Sequence, residues 1–225
     1  MTVHIYVEGA SDVAALRALL AAEGRASFAS GVGLRLARLN NKDQLLRKIA
    51  PHAFQRLSQD PTSHVVAMPD LHPTVPFEGT PNAHRSCDEL VELLQRRLRD
   101  EAQAKGWRSD RLDGLLRRFH AFPFSHDLEV LLLAAHEKLR AYLRARASLA
   151  GAFRHPAEEH DDRDPPKRVV QELFLRHRKV RYEPVIHAPA VLRNVPPSEL
   201  RVSGECPRFA EFLDTLVRIT GVPLP

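Results

Sequence analysis

The stretch VHIYVEGASD, Val3 to Asp12, decides how the chain is read. Val3, Ile5 and Val7 alternate with His4 and Tyr6 in a β-branched and aromatic run long enough for one buried strand. The run stops at Glu8. Gly9 permits a sharp turn, Ser11 or Asp12 stands where it can cap a helix, and AALRALLAA supplies apolar residues near the helical period. A β-turn-α unit with two acids at its turn is expected. In parallel α/β sheets, ligands and ions bind in the crevice beyond the carboxyl ends of the strands. Glu8 therefore stands where chemistry is usually done, and Asp12, four residues on, can face the same crevice. The plainer reading makes Asp12 a helix cap and Glu8 a solvated strand-end acid.

Working outward, Leu34, Leu36 and Leu39 read as a second strand, and Lys42 to Leu57 as a helix interrupted or kinked by Pro51. HVVAMPD is a compact apolar strand that again runs into an acid, Asp70. The segment from Leu71 to Ser86, rich in proline and turn formers, reads as a stiffened loop at the rim of the crevice, with His72, Glu78 and His84 able to reach an ion or a phosphate. Ser86 to Lys105 is an amphipathic helix with Leu90, Leu93, Leu94 and Leu98 as its buried stripe. Its arginines, Arg96, Arg97 and Arg99, form either a solvated face or a nucleic-acid track. RFHAFPFSH supplies a fourth strand leading into SHDLEVLLLAA, where Ser125 is expected to cap a helix. That helix would put His126 and Glu129, spaced i,i+3, on one face. With the strands parallel, carboxylates converging there with a histidine would bind a hard divalent cation, since magnesium asks for oxygen ligands and retained waters. The competing explanation is a helix N-terminus whose dipole favours acids.

The remainder reads as helical. His136 to Leu149 keeps helical spacing, Arg154 to Arg168 is a charged, proline-containing connection, and a helix through Val170, Leu173 and Phe174 runs into the basic patch RHRKVRY. Arg176, Arg178, Lys179 and Arg181 there are phosphate-contact candidates, or else solubilising charge. Pro207 opens a last amphipathic helix, with Cys206 a small packed residue.

The 225 residues suit one large domain, or a core with an appendage. The division expected is an α/β domain over 1–150 and a mainly helical extension over 151–225. A net charge of +5, drawn from many charges of both signs, permits a polyanionic partner without demanding one. The two cysteines, Cys87 and Cys206, make no zinc-binding spacing, and neither a signal-like segment nor a membrane-spanning apolar run is seen. A reducing cytoplasm and no membrane are expected.

These residues resemble a family. VEGASD is similar to the first motif of the Toprim fold, in which a glutamate ends the first strand. VVAMPDLH occupies the place of its acidic second motif, with His72 where a second aspartate is usual. A closer resemblance is to an uncharacterised Toprim-like family of bacterial proteins often encoded beside an ATPase in phage-defence or abortive-infection loci. That resemblance is carried by Asp70-Leu71-His72-Pro73, His126-Asp127-Leu128-Glu129 and Cys206-Pro207-Arg208-Phe209 in the same order. It implies metal-dependent cleavage of nucleic acid, as in the overcoming-lysogenisation-defect nucleases.

The expectation carried forward is a Toprim/Rossmann-like, mainly parallel α/β sheet flanked by helices, acting as a magnesium- or manganese-dependent phosphodiesterase. Glu8, Asp70 and Glu129 would hold metal with Asp12 and His72 as further ligands. Glu8, Asp70 and His126 would be catalytic, Glu8 as an alternative general base and His126 as a proton donor or ligand-orienting group. Nucleic acid is the expected substrate, DNA ahead of RNA, with an ATPase as a possible partner. The competing class is a non-catalytic Toprim-like subunit that binds nucleic acid or the ATPase. A Rossmann-type nucleotide switch is disfavoured because the first turn lacks a GxGxxG fingerprint.

Overall fold

The computed structural model describes residues 1–160 and 163–224. Asp161 and Asp162 of the acid-rich connection lie outside the described residues. In chain order the elements are β1 (Thr2–Val7), α1 (Ala10–Leu19), α2 (Ala21–Ala29), β2 (Gly33–Arg38), α3 (Lys42–Gln59), β3 (His64–Met68), α4 (Cys87–Ala104), α5 (Ser109–Leu116) and β4 (Phe119–Ala121). The chain continues with α6 (Val130–Ala134), α7 (His136–Leu143), α8 (Pro166–Arg178), α9 (Pro184–Leu192), α10 (Pro197–Val202) and α11 (Pro207–Thr220). Two compact units result: Met1–Gly9 with Ser27–Pro123, and Ala10–Ala26 with Phe124–Pro225.

The first unit is built on a parallel sheet in the order β2-β1-β3-β4. Its two central strands are buried on both faces: Val3, Ile5, Val7 and Tyr6 of β1 and Val65 to Met68 of β3 are all nearly inaccessible. Burial on both sides is why β3 reads in sequence as an unbroken apolar run. Tyr6, Val65, Ala67 and Phe119 share a core with Leu45, Leu46, Ile49, Ala53 and Leu57 of α3 and with the leucine stripe of α4. Asn41 caps α3, its Oδ1 accepting the Gln44 N–H at 2.9 Å, and the helix runs on through Pro51.

Arg118 fixes the approach to β4. Its guanidinium donates to the carbonyls of Leu57, Asp60, Ser63 and Gly114, tying the end of α3 and the turn into β3 to α5.

In the second unit α1 packs on α9, α6 on α8 and α9, α7 on α8 and α9, and α10 on α11. Two expectations are corrected here. Helix α1 begins at Ala10, so Asp12 lies in its first turn instead of capping it. Ser125 caps no helix: α6 starts at Val130, and the residues before it form tight turns in which Val130 N–H bonds the Asp127 carbonyl and Leu131 N–H the Leu128 carbonyl. The leucine run has no polar face, so nothing in its pattern orients a longer amphipathic helix there. His126 and Glu129 consequently share no helical face. No helix among the described residues is long and apolar enough to cross a membrane.

Four carbonyls depend on one guanidinium, and hydrogen bonds to a charged donor are the stronger kind. Arg118→Ala should lower the unfolding free energy by about 3 kcal/mol in urea denaturation, with Arg118→Lys recovering less than half. An unchanged urea midpoint in Arg118→Ala would contradict this.

Candidate functional site

Chain order reverses between β1 and β3: the connection from β1 leads to β2 on one side, and that from β3 to β4 on the other. In an open parallel sheet that reversal leaves a crevice beyond the carboxyl ends of the two strands. The parallel register pairs Val7 with Met68, so Glu8 and the Pro69–Asp70 pair emerge side by side. Glu8 Oε1 accepts the backbone N–H of Asp70 at 2.9 Å. Both acids are half-buried. The structure thus brings together the two strand-end acids on which the sequence reading turned, and His72 follows them, half-buried, in the loop after β3.

Lys42, which the sequence reading passed over, belongs to the same place. It is the first residue of α3, only 5% exposed, and its ammonium donates to the carbonyls of Leu71 and, at 2.9 Å, of Pro73. It also lies 5.1 Å from the centre of the Phe77 ring. Burial lowers its pKa to about 8, against the opposing pull of the Glu8 and Asp70 carboxylates. The ammonium therefore anchors the loop after β3 and serves as counter-charge to the acids. The available signal was position: Lys42 follows the carboxyl end of β2, as Glu8 and Asp70 follow those of β1 and β3. His84 is buried against Phe77, with Nδ1 2.6 Å from the Asn82 carbonyl, and packs the loop from within.

Asp12, His126 and Glu129 belong to the second unit. His126 is buried and its Nε2–H donates to the His160 carbonyl at 2.6 Å. His160 in turn accepts the Arg154 N–H at Nε2 and donates from Nδ1 to the Asp164 carbonyl. Histidines thereby tie down part of the charged, proline-containing connection. Glu129, 5% exposed, sits with Asp127. Burial raises both carboxyls, Asp127 to about 8 with the Glu129 charge adding to the effect, while Lys167 pulls in the opposite direction. Asp127 Oδ1 is inaccessible and makes no hydrogen bond of ordinary geometry. The Tyr182 hydroxyl, equally buried, lies within electrostatic reach of Glu129, Asp127 and Asp12, and burial together with those carboxyls holds it well above its usual range. Asp127, Tyr182 and Lys167 join Asp12 and Glu129 as a second carboxylate-rich group.

The basic run lies at the end of α8. Arg178 is committed, donating to the Tyr142 carbonyl at 3.1 Å and lying 5.3 Å from the Tyr142 ring. Arg176, Lys179 and Arg181 are exposed. Cys206 is 1% exposed and burial pushes its thiol pKa up, which suits a packed residue.

Among the described residues no group of three or more histidine, cysteine, aspartate or glutamate side chains stands ready to hold a metal ion. Magnesium requires less, because one or two carboxylates with retained waters and substrate phosphate oxygens commonly suffice. Glu8 and Asp70 fit that donor chemistry, the first carrying a carboxylate oxygen already oriented by a backbone N–H.

A family described as "Domain of unknown function (DUF4276)" matches residues 7–217. No curated protein matches the chain. Two solved structures of the C-terminal region of the OLD protein of Xanthomonas campestris pv. campestris are similar. One, phased with mercury, has 13% identity and a TM-score of 0.42 over 96% of each chain; the other, phased with iodine, has 14% and 0.43 over 98% of each.

Two pH dependences follow from the buried charges. The folded pKa of Lys42 lies below its unfolded value, so the unfolded chain binds more protons between about pH 8 and 10.5 and stability rises across that window. Relative to Lys42→Met, wild type should gain on the order of 3 kcal/mol from pH 8 to 10.5 in denaturant titrations; parallel curves would refute it. For Asp127 the sign is opposite. Its folded pKa is raised, so stability should fall as pH climbs from about 4 to 8, and Asp127→Asn should flatten that decline.

Proposed function

The chain belongs to the DUF4276 family, and on that footing we propose that it is a magnesium- or manganese-dependent phosphodiesterase acting on nucleic acid, with Glu8 and Asp70 holding the ion. The observation that carries this reading is the hydrogen-bonded pairing of those two acids at the reversal point of a parallel sheet. A divalent ion bound there would activate water and polarise the scissile phosphate. The Asp70 N–H fixes one oxygen of Glu8, which orients the carboxylate without consuming its charge. Lys42, charged below about pH 8, holds the loop bearing His72 in position and offsets part of the acids' charge. His72, directly after the second strand-end acid, would contact a phosphate oxygen or the ion. The reading rests on the first unit alone. DNA is proposed ahead of RNA, in a defence setting with an ATPase partner, on the strength of the motif resemblance.

A non-catalytic, nucleic-acid- or ATPase-binding subunit is the second reading. It is favoured by the lack of a three-donor group among the described residues and by a buried lysine already balancing the acids. Purified chain, alone and with a neighbouring ATPase, should cleave DNA in manganese, and Glu8→Gln and Asp70→Asn should each lose at least about 100-fold. Equal cleavage by all three proteins would remove these acids from the mechanism. Intact ATPase binding with no calorimetric uptake of divalent ion at millimolar concentration would establish the second reading in its place.

A further inference from the structure

Within the first unit, α3 and α4 flank an open cleft of about 540 Å³ that the hydrolytic reading does not use. Its volume lies in the range of small-molecule sites. Three guanidiniums border it: Arg47 from α3, and Arg96 and Arg97 from α4. Arg97 is anchored, Nη1 donating to the Leu46 carbonyl at 2.7 Å one turn before Pro51. Arg47 is 65% exposed and bridged to Asp43 at 3.0 Å. Burial lowers the Arg97 pKa first, and the charges of Arg96 and Arg47 lower it further, against the opposing effect of Asp100 and Asp43. Arg96 and Arg47 thus both act on Arg97 from the same cleft, and an anion bound there would relieve that repulsion.

The rest of the wall is of a different kind. Pro51 and Pro81 supply apolar, rigid surface, while Asp100 and Glu101 stand at the α4 side. A proline inside a helix is costly, about 3 kcal/mol, yet here it provides a flat face to the cleft. Guanidinium forks match phosphate oxygens, flat apolar faces accept a planar ring, and a carboxylate can accept hydrogen bonds from sugar hydroxyls.

We propose that the cleft between α3 and α4 binds a phosphate-bearing ligand of nucleotide size, with Arg47, Arg96 and Arg97 on the phosphate and Pro51 and Pro81 against the base. In the case of a free nucleotide, Asp100 accepts hydrogen bonds from the sugar hydroxyls. The ligand is either a free nucleotide or one nucleotide of a nucleic-acid strand. The site requires neither Glu8, Asp70 nor a metal ion, and so stands apart from the hydrolytic reading.

The test is calorimetry of the full chain in chelator, titrated separately with adenosine diphosphate, inorganic phosphate and a short single-stranded oligonucleotide. It compares wild type, the Arg47→Ala/Arg96→Ala double variant and Glu8→Gln. Arg97 is left in place because it also bonds the α3 backbone, and thermal unfolding verifies that the double variant keeps its fold. Wild type should bind the diphosphate or the oligonucleotide with Kd below about 1 mM. The double variant should bind at least about tenfold more weakly, and Glu8→Gln should bind as wild type does. Binding of the diphosphate assigns a free nucleotide, and binding of the oligonucleotide alone assigns a strand. The proposal is overturned if neither binds, if the double variant binds as wild type does, or if inorganic phosphate binds as tightly as the preferred ligand.

Discussion

The parallel pairing of β1 with β3 is the constraint on which the candidate site depends. Because Val7 is registered against Met68, the strands end level, and the next residues have only the crevice to enter. A slip of one residue would turn every side chain of a strand to the opposite face, and the burial of both faces of β1 and β3 makes such a slip prohibitive. The Asp70 N–H to Glu8 bond is the visible consequence: a backbone donor beyond the end of one strand is satisfied by a carboxylate beyond the end of its neighbour. Few arrangements hold an acid at a fixed angle so cheaply, since no additional side chain has to be ordered.

Both units contain acids removed from water, and they handle the charge in opposite ways. Beside Glu8 and Asp70 stands Lys42, whose ammonium survives burial because two carbonyls receive it and two carboxylates offset its desolvation. Asp127 and Glu129 have Lys167 as counter-charge, but burial of both, with the Glu129 charge acting on Asp127, exceeds its pull and holds both carboxyls above their ordinary range. Burial first, and then the same carboxylates, raise the Tyr182 hydroxyl.

The sheet was legible in the sequence because its strands obey simple periodicities: alternation in VHIYV, an unbroken apolar run in HVVAM. The acids at the strand ends were legible for the same reason, being the first charged residues after such runs. Other features were hidden by equally physical causes. In LEVLLLAA every residue from Leu128 to Ala135 is buried, so no polar face marks where the helix begins. Lys42 was obscured because a cation at a helix N-terminus opposes the dipole and carries no motif. Tyr182 was obscured because RHRKVRY reads as surface, although the tyrosine that ends it is only 2% exposed.

The path of the chain assigns a motif contiguous in sequence to two different units. VEGASD reads as one device, yet Glu8 closes the strand of the first unit and Asp12 lies in a helix of the second. Where Asp12 points is therefore set by the packing of α1 on α9, an element some 170 residues further along. The chain passes between units after Gly9, after Ala26 and after Pro123, so neither unit is encoded by a continuous segment. Long-range closure of this kind carries a conformational cost that only the buried contacts at its end can offset. For the second unit those contacts are the α1–α9 packing and the apolar faces of α6 and α8. The packing of α1 on α9 thus governs the direction in which a first-helix acid can act, and local spacing alone cannot specify it.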